Sequence, residues 1–268
     1  MAEKPNLART LRWLKARPWI QAGFLVVWLE PYMFRFCGPV FHCYACPLAT
    51  FACPIGIIAN FSYFHLIPFM AIGTILVVGA AVGAVICGWV CPFGFLQDLA
   101  ARVRTPKLRL PYWAGYTRYA VLVGLVLLVP FFLGESHPLF ICRVCPAGAL
   151  EGAVPNVVKS AIAGTAIAWP SAAKFVILGA FLVGMFFVWR PWCTLFCPLG
   201  AIYGLSNHLS VFFLKFHPNR CTDCLACRNM CHYGASPGKR ANDPRCIRCL
   251  ECTRCGAIEV ASVLKPKA

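Results

Sequence analysis

The sequence predicts an all-α membrane protein: four transmembrane helices arranged as two parallel helix-pair repeats, followed by a small cytoplasmic α+β domain. Three observations predict it. Of 268 residues, 60% are apolar and only 13% are charged, a mixture that excludes a disordered chain and argues against a soluble globular one. From Phe36 to Gln97 there is not one Asp, Glu, Lys or Arg, a run far longer than the ~20 residues one crossing needs. Eighteen cysteines fall in repeated pairs. In a chain neither short nor secreted they point to thiolate ligands rather than to a disulfide scaffold.

Residues 1–17 read as a basic cytoplasmic N-terminus, 18–112 as the first membrane repeat with its inner loop, and 113–200 as the second. A linker helix is expected over 201–217 and a separate tail domain over 218–268. The first crossing runs from about Pro18 to Phe36 and is the weakest, because Gln21, Glu30 and Arg35 interrupt it. The second runs from about Leu66 to Ile86. The third, about Ala114 to Gly134, is charge-free from Tyr119 onward, with Arg118 snorkelling at its entrance. The fourth, about Phe175 to Trp192, lies between Lys174 and the Arg190-Pro191 pair. Ser160 to Ala173 is too short to cross and reads as a re-entrant or interfacial segment. No small-residue cleavage site follows the first apolar segment, so no cleavable signal peptide is expected.

Charge orients these spans. Lys and Arg divide 21 to 4 between the two sides, so the positive-inside rule places both termini and the 92–118 loop in the cytoplasm. Topology thus accounts for the net charge of +16, and no nucleic-acid partner is expected.

Four places read Cys-Pro-x-Gly, beginning at Cys53, Cys91, Cys145 and Cys197. Two close a longer motif, Cys87-Gly-Trp-Val-Cys91-Pro and Cys193-Thr-Leu-Phe-Cys197-Pro. The outer segments carry Cys43/Cys46 and Cys142/Cys145. Each half therefore runs helix, outer cysteine pair, helix, inner cysteine pair, as in proteins built from parallel repeats. Cys87 and Cys91 are spaced i, i+4, so both can face one side of the span's inner end. Pro92 suits a first helical turn, which puts Cys91 at a helix start where free N–H groups favour thiolate sulfur. Four thiolates, Cys87, Cys91, Cys193 and Cys197, suit a 4Fe–4S cluster or a closed zinc site. Buried unligated thiols are the alternative. Cys43, Cys46, Cys142 and Cys145 are candidates for a second site at the outer face, with disulfides as the rival. Cys53 is a contender for a ligand position there or for pairing with Cys37, and the sequence leaves that open.

The tail carries Cys221-x-x-Cys224-x-x-Cys227-x3-Cys231 and Cys246-x-x-Cys249-x-x-Cys252-x-x-Cys255. This is the spacing of a two-cluster bacterial ferredoxin, in which each run gives three ligands to one cluster and its fourth cysteine to the other. Cluster 1 would use Cys221, Cys224, Cys227 and Cys255; cluster 2 would use Cys246, Cys249, Cys252 and Cys231. The last gap is two residues rather than three, and neither Cys231 nor Cys255 precedes a proline.

Cys87-Gly-Trp-Val-Cys91-Pro-Phe-Gly, Cys193-Thr-Leu-Phe-Cys197-Pro-Leu-Gly and the double ferredoxin tail resemble the membrane-bound polyferredoxin family over roughly residues 10–262. That family includes the membrane subunit of periplasmic nitrate reductase electron delivery, the nitrous-oxide reductase accessory flavoprotein and a cytochrome-oxidase assembly protein that handles copper. The resemblance implies four spans in a bacterial inner membrane and 4Fe–4S clusters. It also implies electron transfer between a quinone pool or cytoplasmic redox donor or acceptor and an extracytoplasmic redox protein. A hydrocarbon core of about 30 Å is wide for one electron-transfer step, so either the sites sink inward or a quinone or haem bridges them, and the resemblance favours quinone. The six histidines, His42, His65, His137, His208, His217 and His232, offer no paired axial ligands inside the spans, so haem is not expected. Glu30 and Arg35 are candidates for quinol or proton handling, or else lie solvated at the outer interface. Trp89, Phe93, Trp189 and Trp192 read as an interfacial belt, with quinone walls as the alternative. The rival function is an assembly or metal-handling reductase acting on copper or a thiol.

Overall fold

A computed structural model describes residues 7–28, 39–40, 43, 53–166 and 169–263. The chain is mostly helical. α1 (Leu7–Trp28) comes first, then α2 (Pro54–Tyr63), α3 (Phe69–Val82), α4 (Val85–Trp89) and α5 (Pro92–Ala100). α6 is one continuous helical rod, Tyr112–Leu133, with a π-helical stretch at Leu122–Leu128. α7 (Ile141–Val144) and α8 (148–162) lead to α9 (Ala172–Phe187), α10 (Pro191–Leu195) and α11 (Pro198–Ser206). In the tail, β1 (Phe212–Phe216) pairs antiparallel with β2 (Ile258–Ser262), Phe212 opposite Ser262 and Phe216 opposite Ile258. A short helix, α12 (Ala226–Asn229), and a 3₁₀ turn at Glu251–Cys255 lie between them.

Two successions match. α3 is apolar and stops at Gly83, whose φ of 58° costs glycine nothing. α9 stops where Val188 turns extended and Arg190 adopts φ 48°. After each break comes a five-residue helix with a cysteine at its third position, Cys87 in α4 and Cys193 in α10. A Cys-Pro corner then opens the next helix, α5 or α11, with proline in the first turn. The inner cysteines are therefore not two positions on one helix face, as the i, i+4 spacing predicts. One rides a short helix and the other caps the next, because proline disfavours helix at the residue before it.

These breaks shorten the expected spans. Among the described residues α6 is the one helix long and apolar enough to cross a membrane. At 1.5 Å per residue the 14 residues of α3 reach about 21 Å and the 16 of α9 about 24 Å, short of the ~30 Å hydrocarbon core. Of the first expected span, residues 18–28 are helical as the end of α1, which begins at Leu7 and takes in Arg12, Lys15 and Arg17; residues 29–36 lie outside the described residues. Glu30, Arg35 and Cys37 lie outside the described residues. Within 160–173, α8 ends at Ile162 and no helix resumes before Ala172. The linker is not one helix either, since α11 ends at Ser206 and residues 212–216 form β1 of the tail sheet.

One apolar core unites the helices, with Ile55, Phe93, Met185, Trp192, Leu199 and Tyr203 packed around Cys53, Cys91, Cys145 and Cys197. Burying one such large side chain contributes roughly 1.5–3 kcal/mol. The tail core is much smaller, Leu214, Cys252 and Ile258. Large apolar side chains cover the outside of the rods, among them Phe69, Leu76, Val77, Phe132, Val176 and Val183. A continuous apolar exterior of this kind marks an interaction or membrane surface.

The tail is bonded to the helices. Asn207 accepts from the Ala84 N–H at 3.0 Å and donates to the Cys246 carbonyl at 2.7 Å. Trp89 donates to the Arg248 carbonyl at 3.1 Å, and Arg248 donates to the Val82 and Asn207 carbonyls. Gly88 lies so close that an added Cβ would stand 2.5 Å from the Ile247 carbonyl oxygen.

Candidate metal centres

The two matched corners meet. Cys87, Cys91, Cys193 and Cys197 line one chamber, closed by Phe93, Trp192, Leu199 and Tyr203. Their sulfurs are near enough for charge on Cys193 to disfavour charge on Cys87, Cys91 and Cys197. Cys91 and Cys197 each cap a helix, accepting the Gly94 N–H at 3.4 Å and the Gly200 N–H at 3.3 Å. Those donors favour thiolate, as the sequence predicts, but burial outweighs them. Desolvation, then the neighbouring Cys193, raises the Cys91 thiol. Trp89, Phe93 and Trp192 are 8%, 1% and 3% exposed, so they are core rather than an interfacial belt. Trp189 stacks on His232 at 4.0 Å.

Residues not singled out by sequence reasoning hold this chamber. Gln97 donates to the Cys193 sulfur at 3.2 Å and accepts the Trp192 N–H at 3.2 Å. Asp98 receives both ends of the Arg190 fork, at 2.7 and 2.6 Å, and Arg17 at 2.7 Å. Arg190 also donates to the Cys87 carbonyl at 2.5 Å. Burial alone would raise the Asp98 carboxyl, but Arg190 and Arg17 outweigh it and hold it below its ordinary value. Arg118 does not snorkel. It is 2% exposed, lines the chamber and donates to the Pro244 carbonyl at 2.8 Å. One signal was available: Asp98 is the first charge after the 62-residue run beginning at Phe36.

At the other end, Cys142 and Cys145 both feel the charge of Cys43 and Cys53. The described outer group is thus Cys43, Cys53, Cys142 and Cys145; Cys46 lies outside the described residues. Glu151, in the π-helical turn after Cys145, accepts the Cys43 N–H at 2.9 Å. No disulfide joins any of the described cysteines.

In the tail, Cys227 is coupled to Cys255 and Cys221, while Cys246, Cys249 and Cys252 are each coupled to Cys231. The fourth cysteine of each run thus lies with the other run. Cys224 is exposed; Cys252 is buried. Burial, then Cys249, pushes the Cys246 thiol up to about 12. Four non-glycine residues take left-handed backbone, Asp223 and Leu225 around Cys224, Arg248 and Leu250 around Cys249. Each costs roughly 1–2 kcal/mol, and the conformation turns backbone N–H groups inward as an anion nest.

The residues fit iron–sulfur clusters better than single ions. Among the described residues no three His, Cys, Asp or Glu converge on a single-ion site; the inner cysteines surround a chamber. The arrangement has a consequence for spacing. Cys246 of the tail lines the inner chamber itself, and Cys231 lines a second cavity with Cys193. Tail and membrane-end cysteines therefore share walls.

A family profile described as a 4Fe-4S binding domain matches twice, over residues 63–111 and 172–217, which are the two matched successions. The chain is 32% identical to the uncharacterized protein MJ0750 of Methanocaldococcus jannaschii, over 66% of this chain and 71% of that protein. It is 31% identical to protein NirI of Paracoccus denitrificans, over 63% of this chain but only 24% of NirI. It is 29% identical to the ferredoxin-type protein NapH of Haemophilus influenzae, over 68% of this chain and 61% of NapH. No solved structure matches.

Proposed function

The chain belongs to the polyferredoxin-like 4Fe–4S membrane family, and we propose that it is a membrane-embedded relay between a cytoplasmic ferredoxin-type tail, the quinone pool and an extracytoplasmic redox partner. Its coarse role is iron–sulfur electron transfer. Clusters held by these cysteines would supply one-electron carriers. This chain's residues set their spacing and exclude water.

The observation that carries the reading is the shared wall: Cys246 stands in the chamber of Cys87, Cys91, Cys193 and Cys197. A tail that served only as a soluble carrier would not need its ligand there. We assign cluster 1 to Cys221, Cys224, Cys227 and Cys255, and cluster 2 to Cys246, Cys249, Cys252 and Cys231. The inner cluster falls to the chamber, and an outer one to Cys43, Cys53, Cys142 and Cys145. We assign four crossings with both termini cytoplasmic: the charge split supports the orientation, the apolar coats of α3, α6 and α9 support three of the crossings, and the fourth is given to about Pro18 to Phe36. In this reading α3 and α9 reach across together with the short helices that follow them. Quinone is assigned as the lipid-side partner.

Iron and acid-labile sulfide per anaerobically purified chain, with EPR during reductive titration, test it. The expected count is about sixteen irons for four 4Fe–4S clusters. About twelve would remove the outer cluster, and about eight would leave the tail alone and end the relay reading.

A further inference from the structure

Arg118 has a problem of charge that Arg190 does not. Both guanidiniums are buried, at 2% and 0% exposed. Arg190 is neutralised by the two-pronged bond to Asp98. Arg118 donates through Nη2 to the Pro244 carbonyl at 2.8 Å and the Tyr119 hydroxyl at 3.2 Å, and lies over the Tyr119 ring. All of these partners are neutral. Its Nε is buried with no hydrogen-bond acceptor, and among the described residues no carboxylate forms an ion pair with it. A buried cation without a counter-charge is expensive, and a buried N–H without an acceptor adds to that cost.

What surrounds it is sulfur. Arg118 lines the chamber of Cys87, Cys91, Cys193, Cys197 and Cys246, and its charge is felt at Cys87 and Cys193. Anions that can meet it there are thiolates and the sulfides of a cluster they hold. We propose that Arg118 is the counter-ion and Nε–H donor of the inner cluster, and that it sets that cluster's reduction potential above those of the tail. The proposal rests on the relay reading and deepens it by giving the electron a resting place. Positive charge and hydrogen bonds to sulfur stabilise the more negative, reduced state. Gln97 on Cys193, and the N–H caps on Cys91 and Cys197, act in the same direction. The tail sulfurs also accept backbone N–H groups, Cys224 from Ala226, so the difference in potential is assigned to the buried guanidinium. One electron lost by the tail is one gained by the chamber, with no proton required. Because Pro244 lies two residues before Cys246, the same guanidinium pins the cluster 2 loop against the chamber.

The test uses the full chain, purified anaerobically in detergent, with iron counted and midpoints read by EPR-monitored titration. The inner signal is identified as the one lost in the double variant Cys91→Ser with Cys197→Ser. In the wild type it should appear at higher potential than both tail signals. Arg118→Gln should lower it by at least tenfold in the one-electron equilibrium, about 59 mV, with cluster 1 unmoved. Arg118→Lys keeps the charge but loses Nε–H, and should show a smaller fall. An inner midpoint unmoved in a fully loaded Arg118→Gln overturns the proposal, as does an inner midpoint below the tail's in the wild type. Should Arg118→Gln lose the inner cluster, Arg118→Lys decides, and a wild-type midpoint there also overturns it. A wild type with about eight irons and no inner signal fails the relay reading itself, a result distinct from a potential that does not move.

Discussion

The inner chamber and the ferredoxin tail use the same ligand atom in two different ways. In the chamber, sulfurs are held by a framework that exists without them: proline-started helices, a core of Phe93, Trp192 and Leu199, and the Arg190–Asp98 pair. In the tail almost nothing else is available. Two five-residue strands and a core of Leu214, Cys252 and Ile258 must support two loops whose backbone is strained at Asp223, Leu225, Arg248 and Leu250. The chamber is a built socket into which a cluster fits. The tail is a wrapper that depends on its clusters to be a fold at all, as small metal domains commonly do.

The sharpest way to break that contrast is to remove ligands from each. Cys246→Ser should cost about four irons and expose 218–255 to limited proteolysis, because cluster 2 organises the loop. Cys91→Ser with Cys197→Ser should also cost about four irons while the far-ultraviolet circular dichroism of the helices stays unchanged. Equal loss of helix in both variants would show that the chamber too is organised by its cluster. Next in size is Asp98→Ala, which strands the fully buried Arg190. Breaking such a pair typically costs 3–5 kcal/mol, visible as a lower Tm; Asp98→Asn should fall between that variant and the wild type. A Tm unchanged in both would mean that the socket does not lean on this pair.

How far sequence reached follows the same division. The neighbourhood of the tail cysteines was legible from their spacing, down to the placing of Cys231 beside the second run. The four inner cysteines were legible as a group because the repeat writes them twice. Their local geometry was not: Gly83 and Arg190 break the helices before the cysteines arrive, and no apolar pattern records a break inside an apolar run. Arg118 looked like a span-edge residue because burial against Pro244 is a tertiary fact with no local signature. That Cys53 stands beside Cys142 was not legible, since its approach depends on loop path rather than on spacing.

A smaller effect joins the two regions. Gly204 packs against the Pro244 carbonyl so closely that a Cβ would collide with it. Gly204→Ala should therefore push the cluster 2 loop off the socket at an overpacking cost of about 1–3 kcal/mol. Faster hydrogen exchange over 244–248, with iron content unchanged, is the expected result; lost iron would mean that the wrapper needs the socket.

The smallest effect tests whether the strands contribute to the tail independently of metal. Glu259 on β2 lies 2.5 Å from His217 Nε2 and 3.3 Å from Arg220. Burial would raise its carboxyl, but the His217 hydrogen bond and the charges of His217 and Arg220 outweigh it, so the group titrates below its ordinary value. A carboxylate depressed in the folded state contributes stability that is fully present above its unfolded pKa, about 4.3. That contribution is lost as pH falls through the lower folded value. Because Glu259 is 32% exposed, solvent screening keeps the contribution under about 1 kcal/mol. Protection of the Ile258–Ser262 amides, taken relative to the intrinsic exchange rate at each pH, should therefore fall on acidification below about pH 4.3 in the wild type, and Glu259→Gln should be less protected at neutral pH and flat across that window. If the variant matches the wild type at every pH, β1 and β2 are held by the clusters alone, and the tail is a wrapper throughout.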